Sequence, residues 1–222
     1  MTVSPPNIQI TPLSSRLRDR TADVHEAAER SAFITQLLDG ALPIDAYVDL
    51  LVQYRAVYGA LETASEHHQG HEVVGLFADP ALHRRAAIED DLRVLGGEGW
   101  SERHTTTPAT DEYTARIHEV CTGWPGGFVA HHYVRYLGDL SGGQLIRRVL
   151  GRHYGITDGV GLSFYVFDRL DNGVEFKKAY RARLDEAPWD DAEQTRVVEE
   201  ARRAFEHNIA LFTSLDRPTR VS

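Results

Sequence analysis

The chain has 222 residues, with 33 acidic against 24 basic side chains and a formal net charge of −9 at pH 7, which excludes non-specific attachment to nucleic acid. Apolar residues make up 42% and charged residues 26%, the balance of a globular domain with a substantial core and not of a disordered chain. One cysteine, Cys121, excludes an intramolecular disulfide and a cysteine-ligated cluster and suits a reducing compartment.

No run approaches the ~20 apolar residues of a membrane span, and the first residues lack the apolar core of a signal peptide. The expectation is a cytoplasmic protein with no membrane anchor and no nucleic-acid partner. Residues 1–13, with three prolines, read as a flexible lead-in; the folded domain is expected over 14–215 and a polar tail over 216–222.

Helix begins near Ser14-Ser15, either of which can cap it, and breaks by Gly40. Arg18, Ala22, His25 and Glu29 fall along one face of it. A lone histidine beside an apolar stripe is an ordinary structural residue, but Glu29 lies one turn on, where it can fix the imidazole's tautomer. Arg18 lies two turns back, roughly 10 Å along the axis. Pro43 then opens a long helix to His68, with Tyr47, Leu50, Leu51, Tyr54, Val57, Tyr58 and Leu61 on a broad apolar face. Tyr58 and Glu62 are four apart; on spacing alone they are a core-edge tyrosine and a solvated glutamate. His67, His68 and His71 make a metal-like pattern, yet the intervening Gln69-Gly70 suggests a frayed end, and a favourable charge interaction with the helix C-terminus is the simpler account.

Residues 72–96 read as a short helix, an Asp79-Pro80 break and a charged helix ending at Gly96-Gly97, followed by a polar loop. A helix over Pro108–Cys121 buries Tyr113, Ile117 and Val120. The chain then turns through Gly123-Trp124-Pro125-Gly126-Gly127 into VAHHYVRYLGDLSGGQLIRRVL, residues 129–150. Its ends are helical in pattern, but Gly138, Gly142 and Gly143 each cost about 1 kcal/mol relative to alanine inside a helix. Two local readings stand. Either Gly138 and Gly142, four apart, leave a strip without side chains that something flat can approach, or a helix ends at Ser141 with Gly142-Gly143 as cap and turn. Arg135 and Asp139 are four apart on a neighbouring face and can pair.

The segment ITDGVGLSFYVF is strand-like but isolated, and reads as a connection without a sheet. Asn172 and Glu175 have capping-box spacing at the start of a helix, which carries Lys177 and Arg181 at i and i+4, a repelling pair unless an anion lies between them. The last helix runs from Asp190 or Asp191 to about Leu215. No repeat or linker divides the chain, so the expectation is one all-α domain of seven or eight helices.

The run HHYVRYLGDLSGGQ resembles the distal-helix signature of the heme oxygenases. TADVHEAAE resembles their proximal-histidine helix, FKKAYR their propionate-binding segment and AFEHNIALF their final helix. The resemblance covers about Leu13 to Leu215 and is nearest in kind to the soluble bacterial, biliverdin-producing members. It implies a heme b held between the N-terminal helix and the glycine-bearing helix, at once substrate and cofactor. O2 and electrons open the ring to biliverdin, CO and Fe²⁺.

By that resemblance His25 is the axial ligand of the heme iron, backed by Glu29. Gly138, Gly142 and Gly143 bring helix backbone over the distal face. Asp139 organises proton delivery, supported by Arg135, Tyr58, Glu62 and Asn208. Arg18, Tyr133, Lys177 and Arg181 bind the propionates, and Phe205 and Phe212 line the pocket. The family commonly has lysine where this chain has Arg18, which keeps the charge but exchanges a point charge for a fork. With all three cations retained in type, cleavage at the α-meso carbon is expected. The sequence carries no NAD or flavin fingerprint, so electrons are expected from a separate reductase or ferredoxin. Two other readings are a heme carrier or sensor without turnover, and a non-heme enzyme on a thiaminase-like all-α fold. A di-iron bundle lacks its paired Glu-x-x-His motifs here.

Overall fold

Apolar residues spaced three and four apart set the helices, and their caps set the ends. A computed structural model describes residues 11–216; the lead-in before residue 11 and the tail beyond 216 lie outside the described residues. Ten α-helical segments follow in order: α1 Leu13–Glu29, α2 Ala32–Leu38, α3 Ile44–His68, α4 Arg85–Leu95, α5 Trp100–Arg103, α6 Pro108–Cys121, α7 Pro125–His132, α8 Gly138–His153, α9 Gly173–Glu186 and α10 Asp191–Leu215. Among the described residues there is no strand, and the 156–167 stretch is a connection with one short 3-10 turn at Ser163–Tyr165.

Several boundaries follow the side-chain chemistry read from sequence. Asn172 Oδ1 accepts from the Val174 and Glu175 amides at 2.9 and 3.2 Å, and Asp190 Oδ1 accepts from the Glu193 amide at 2.8 Å, each satisfying first-turn donors. The first helix differs from expectation. Neither Ser14 nor Ser15 caps α1; it starts after Pro12, and Asp185 of α9 accepts from the Ser14 amide at 2.8 Å and its hydroxyl at 2.9 Å. That bond ties α1 to α9. The expected single stretch to Gly40 is interrupted at Arg30-Ser31, which separates α1 from α2. The polar loop after Gly97 also holds the short α5.

The glycine-bearing stretch is helical throughout, so the alternative with a helix end at Ser141 is excluded. The irregularity sits one turn earlier: Tyr133–Leu137 forms a π-turn joining α7 to α8, a distortion that tends to occur where function demands it. α10 packs along α1, α7 and α6, while α3 packs against α4 and α6. The core between them is aromatic, with Tyr47, Tyr58, Tyr113, Tyr136, Phe128 and Phe164 fully buried. α1 and α8 are left facing each other across an open space.

Candidate heme site between α1 and α8

That space is a cavity of about 420 Å³, within the ~300–1,000 Å³ typical of small-molecule sites. One wall is α1, with His25, Ala28 and Glu29; the opposite wall is the π-turn and α8, with Arg135, Gly138, Asp139, Ser141 and Gly142; α10 contributes Phe205, Asn208 and Phe212. A Cβ built on Gly138 meets nothing within 4 Å, and one on Gly142 meets only Ile146 Cδ1 at 4.0 Å. The strip without side chains is therefore present and turned into the cavity, where two added methyls would occupy ligand space. A flat macrocycle fits that bare backbone on one side and an imidazole on the other.

The α1 wall is loosely held. The His25 side chain is 49% exposed and that of Glu29 66%, with Nε2 standing 3.6 Å from Glu29 Oε1, too long for a hydrogen bond. The edge of the imidazole meets Phe205, ring centroids 5.5 Å apart.

The α8 wall is fully bonded. Tyr58, reaching in from α3, donates its hydroxyl proton to Asp139 Oδ2 and accepts from Arg135 Nε and Nη2 at 3.2 and 3.1 Å. Arg135 Nη1 donates to Asn208 Oδ1 at 2.7 Å, and Asn208 Nδ2 donates to the Ala204 carbonyl at 3.0 Å. The guanidinium lies over the Tyr54 ring at 4.4 Å and 3.8 Å from Asp139 Oδ1. Burial pushes the Asp139 carboxyl above the ordinary carboxylate range, against the opposing pull of Arg135 and the Tyr58 hydroxyl. Burial also holds the Tyr58 phenol protonated, well above its usual range. The result is a carboxyl at the cavity wall with a raised proton affinity, attached to a permanent donor and a permanent cation.

At the mouth, Tyr133 and Arg181 line the cavity. Burial raises the Tyr133 phenol while Arg181 and Arg18 pull it down, so both cations act on that hydroxyl. Arg18 is 72% exposed and bonds Asp19 at 2.8 Å.

Three residues expected here act elsewhere. Lys177 does not line the cavity: its Nζ donates to the Leu140 carbonyl at 3.3 Å and Ser141 Oγ at 3.4 Å. Glu62 is buried but leaves the network to cap α4, with Oε1 accepting from the Arg84 and Arg85 amides at 2.5 and 2.8 Å. Gly143 faces away from the cavity, where an added Cβ would come within 3.0 Å of the Tyr165 ring; it is a packing glycine. The histidine cluster also differs from the frayed end expected. His68 is buried, its Nε2 bonds the Cys121 carbonyl at 2.5 Å, and burial pulls its pKa below the usual imidazole range, whereas His67 and His71 are exposed. Among the described residues no three His, Cys, Asp or Glu side chains converge as a metal-ligand group.

The sequence reading missed Tyr54, Ile34, Ser141 and Ile146 on the cavity wall. Ser141 and Ile146 follow Gly138 at i+3 and i+8, so the helical wheel held that signal. Ile34 comes from α2, whose docking is tertiary and leaves no local trace.

The heme oxygenase family model matches residues 11–214. Heme oxygenase 2 of Mus musculus is 35% identical over 207 residues, covering 92% of this chain, which spans 66% of that protein's length. Heme oxygenase 1 of Nostoc is 35% identical over 204 residues, covering 92% of this chain and 86% of that one. Among solved structures, heme oxygenase 1 of the cyanobacterium Synechocystis in complex with heme superposes with a TM-score of 0.87 at 33% identity, covering 93% of both chains.

Proposed function

The chain belongs to the heme oxygenase family, and from that premise we propose that it opens heme at the α-meso carbon to biliverdin, CO and Fe²⁺, using O2 and electrons from a separate reductase or ferredoxin. The observation that carries this reading is the pairing, across one cavity, of an exposed imidazole with a bare glycine strip flanked by a buried acid network. Bound heme supplies the iron at which dioxygen is activated and the ring that is cut.

The chain's own residues do the rest. His25 would hold the iron through one ring nitrogen, and Glu29, whose Oε1 stands 3.6 Å from Nε2 in the empty cavity, would fix the tautomer through the other. Gly138 and Gly142 let the α8 backbone cover the distal face while presenting no side chain to compete for it. Asp139 holds and releases protons there. Its carboxyl exchanges nearer neutrality than an exposed one would, Tyr58 keeps one oxygen bonded, and Arg135, anchored on Asn208, fixes Tyr58. Arg181, Tyr133 and Arg18 form the cationic end that receives the propionates, and that contact sets the rotation of the ring and so the carbon attacked. A cytoplasmic setting accords with the lone, free and buried Cys121 thiol, and no described helix is long and apolar enough to cross a membrane.

The test is direct. One equivalent of hemin is added, the spectrum recorded, and reductant supplied in air. A Soret band that forms and then gives way to biliverdin with CO release is expected. A stable heme complex that never degrades would sink the oxygenase reading in favour of a carrier or sensor, and absence of hemin binding would sink both.

A further inference from the structure

The chain carries a net charge of −9, yet the second half of α8 turns Arg147, Arg148 and Arg152 into one cavity of about 480 Å³, walled on its other side by the 156–162 connection. It shares no lining residue with the heme cavity. Elsewhere Arg16, Arg55 and Arg116 each hold a carboxylate, and Arg103 and Arg183 hold backbone carbonyls. Among the described residues these three have neither. Arg148 and Arg152, four apart on the helix, repel each other with nothing between them. The helix C-terminus favours a cation at Arg152, which lies in the last turn of α8. That effect fades within one turn and does not account for Arg147 and Arg148.

Arg147 is the most constrained of the three. Gly159, at φ +77°, lies so close that a Cβ there would collide with Arg147 Nη2; a left-handed turn without a side chain lets the connection pack over the guanidinium. Arg147 Nε is buried with no hydrogen-bond partner, the one guanidinium nitrogen so placed among the described residues. A desolvated donor without an acceptor is a cost to the fold. The carboxylate on the wall does not relieve it: Asp158 Oδ1 accepts from the Val160 amide at 3.1 Å and pairs with none of the arginines. Gln144 is engaged by the Tyr165 carbonyl at 2.9 Å.

We propose that this cavity binds the phosphate group of a small molecule. Arginine's fork meets phosphate oxygens two at a time, and a phosphate brings close to two negative charges to a site with three guanidiniums and one carboxylate. Inorganic and organic phosphates share that chemistry. Ile156 also lines a neighbouring cavity of about 420 Å³, walled by Leu42, Ile44 and Leu95, which has room for the apolar body of an organic one. The proposal goes beyond heme degradation and does not depend on it.

Calorimetric titration of the full chain with inorganic pyrophosphate and, separately, with ADP tests it. Binding of one equivalent is expected. Arg147→Met and Arg148→Met, which keep an apolar stem, should each weaken it by roughly tenfold. Gly159→Ala keeps every charge but drives a methyl into Arg147, and should weaken it as well. Arg85→Met, which removes an exposed arginine of α4, should not. Tighter binding of ADP than of pyrophosphate assigns the site to an organic phosphate; equal binding assigns it to the phosphate alone. Absence of binding to both, affinity unchanged in the two methionine variants, or an equal loss in Arg85→Met overturns the proposal. So does a wild-type chain that binds neither phosphate while Arg148→Met slows turnover with a protein electron donor, which would make this face a protein-docking surface. Hemin titration of each variant, expected to match wild type, shows that the fold is kept, and if Gly159→Ala fails to fold, the methionine variants still decide.

Discussion

The two walls of the heme cavity are built on opposite plans. On α1, His25 and Glu29 are half exposed or more, and no hydrogen bond joins them. At the α8 wall, Asp139 joins Tyr58 of α3, Arg135 of the π-turn and Asn208 of α10 in an unbroken chain of buried contacts. The difference teaches where preorganisation is needed. Groups that grip a substrate can stay solvated until it arrives, because binding itself orders them. Groups that hold a proton must already be fixed, because their pKa comes from burial and neighbours.

The sharpest way to break the comparison is to remove one group from each wall and read both activity and stability. His25→Ala is expected to lower ring opening by more than about 100-fold, with partial recovery in added imidazole. Because the side chain is half exposed, the melting temperature should stay nearly constant, within the roughly ±0.5 kcal/mol of surface changes. Biliverdin formation and a thermal melt check both halves, and a large loss of stability would mean that His25 is structural.

Asp139→Asn is the counterpart on the other wall. Turnover is expected to fall by roughly 100-fold while hemin affinity is kept. The stability effect has the opposite sign to a usual loss of a bonded carboxylate. Asp139 has a folded-state pKa above its unfolded value, so its contribution is present at low pH and is lost as pH rises through the raised pKa. Once pH has risen past its unfolded pKa the buried carboxyl is a burden, and the asparagine protein should melt higher by an amount of order a few degrees. That gain should vanish in acid. The acid limb of the melting curve belongs elsewhere: against the push of burial, His131 and Arg116 hold the Glu200 carboxyl down to about 2. Its stabilisation is complete above its unfolded pKa and lost as pH falls through that value, in both proteins alike. Thermal melts from acid to neutral pH check this, and a lower melting temperature for Asp139→Asn at neutral pH would contradict it.

What was legible in the sequence follows the same division. His25 with Glu29, the Gly138–Gly142 strip and the Arg135–Asp139 pair are spaced by single turns, so one helix suffices to place them. Asn172 and Asp190 announce their helices through their own side chains. Glu62, Gly143 and Lys177 were misplaced because their partners, the α4 amides, the Tyr165 ring and the Leu140 carbonyl, lie 22 to 37 residues away, beyond any local pattern. The π-turn left no mark, since its residues have the composition of an ordinary helix.

The glycines sharpen the comparison within α8. Gly138→Ala adds a Cβ in open space and should stabilise the heme-free helix by about 0.5–1 kcal/mol, while weakening hemin binding by intruding on the bare strip. Gly143→Ala should do the reverse, since its Cβ would press on Tyr165 at 3.0 Å: a lower melting temperature with hemin affinity nearly kept. Paired melts and hemin titrations check the crossing of signs, and parallel changes in the two variants would erase the distinction between ligand-facing and packing glycines.

The smallest effects belong to the solvated cations. Removing either Arg181 or Arg18 should cost hemin affinity no more than about fivefold, because exposed ion pairs contribute ~0–1 kcal/mol. The product is the more sensitive gauge, since a fraction of that energy decides between two orientations of a nearly symmetric ring. Arg181 lines the cavity beside Tyr133, whereas Arg18 is engaged by Asp19 and 72% exposed. Arg181→Ser should therefore divert more product from the α to the β and δ isomers of biliverdin than Arg18→Ser does. Chromatography of the isomers decides it. A larger diversion in Arg18→Ser would mean that heme draws the Arg18 fork away from Asp19, so that the loosely built wall orders itself around the propionates more fully than its exposure in the empty cavity implies.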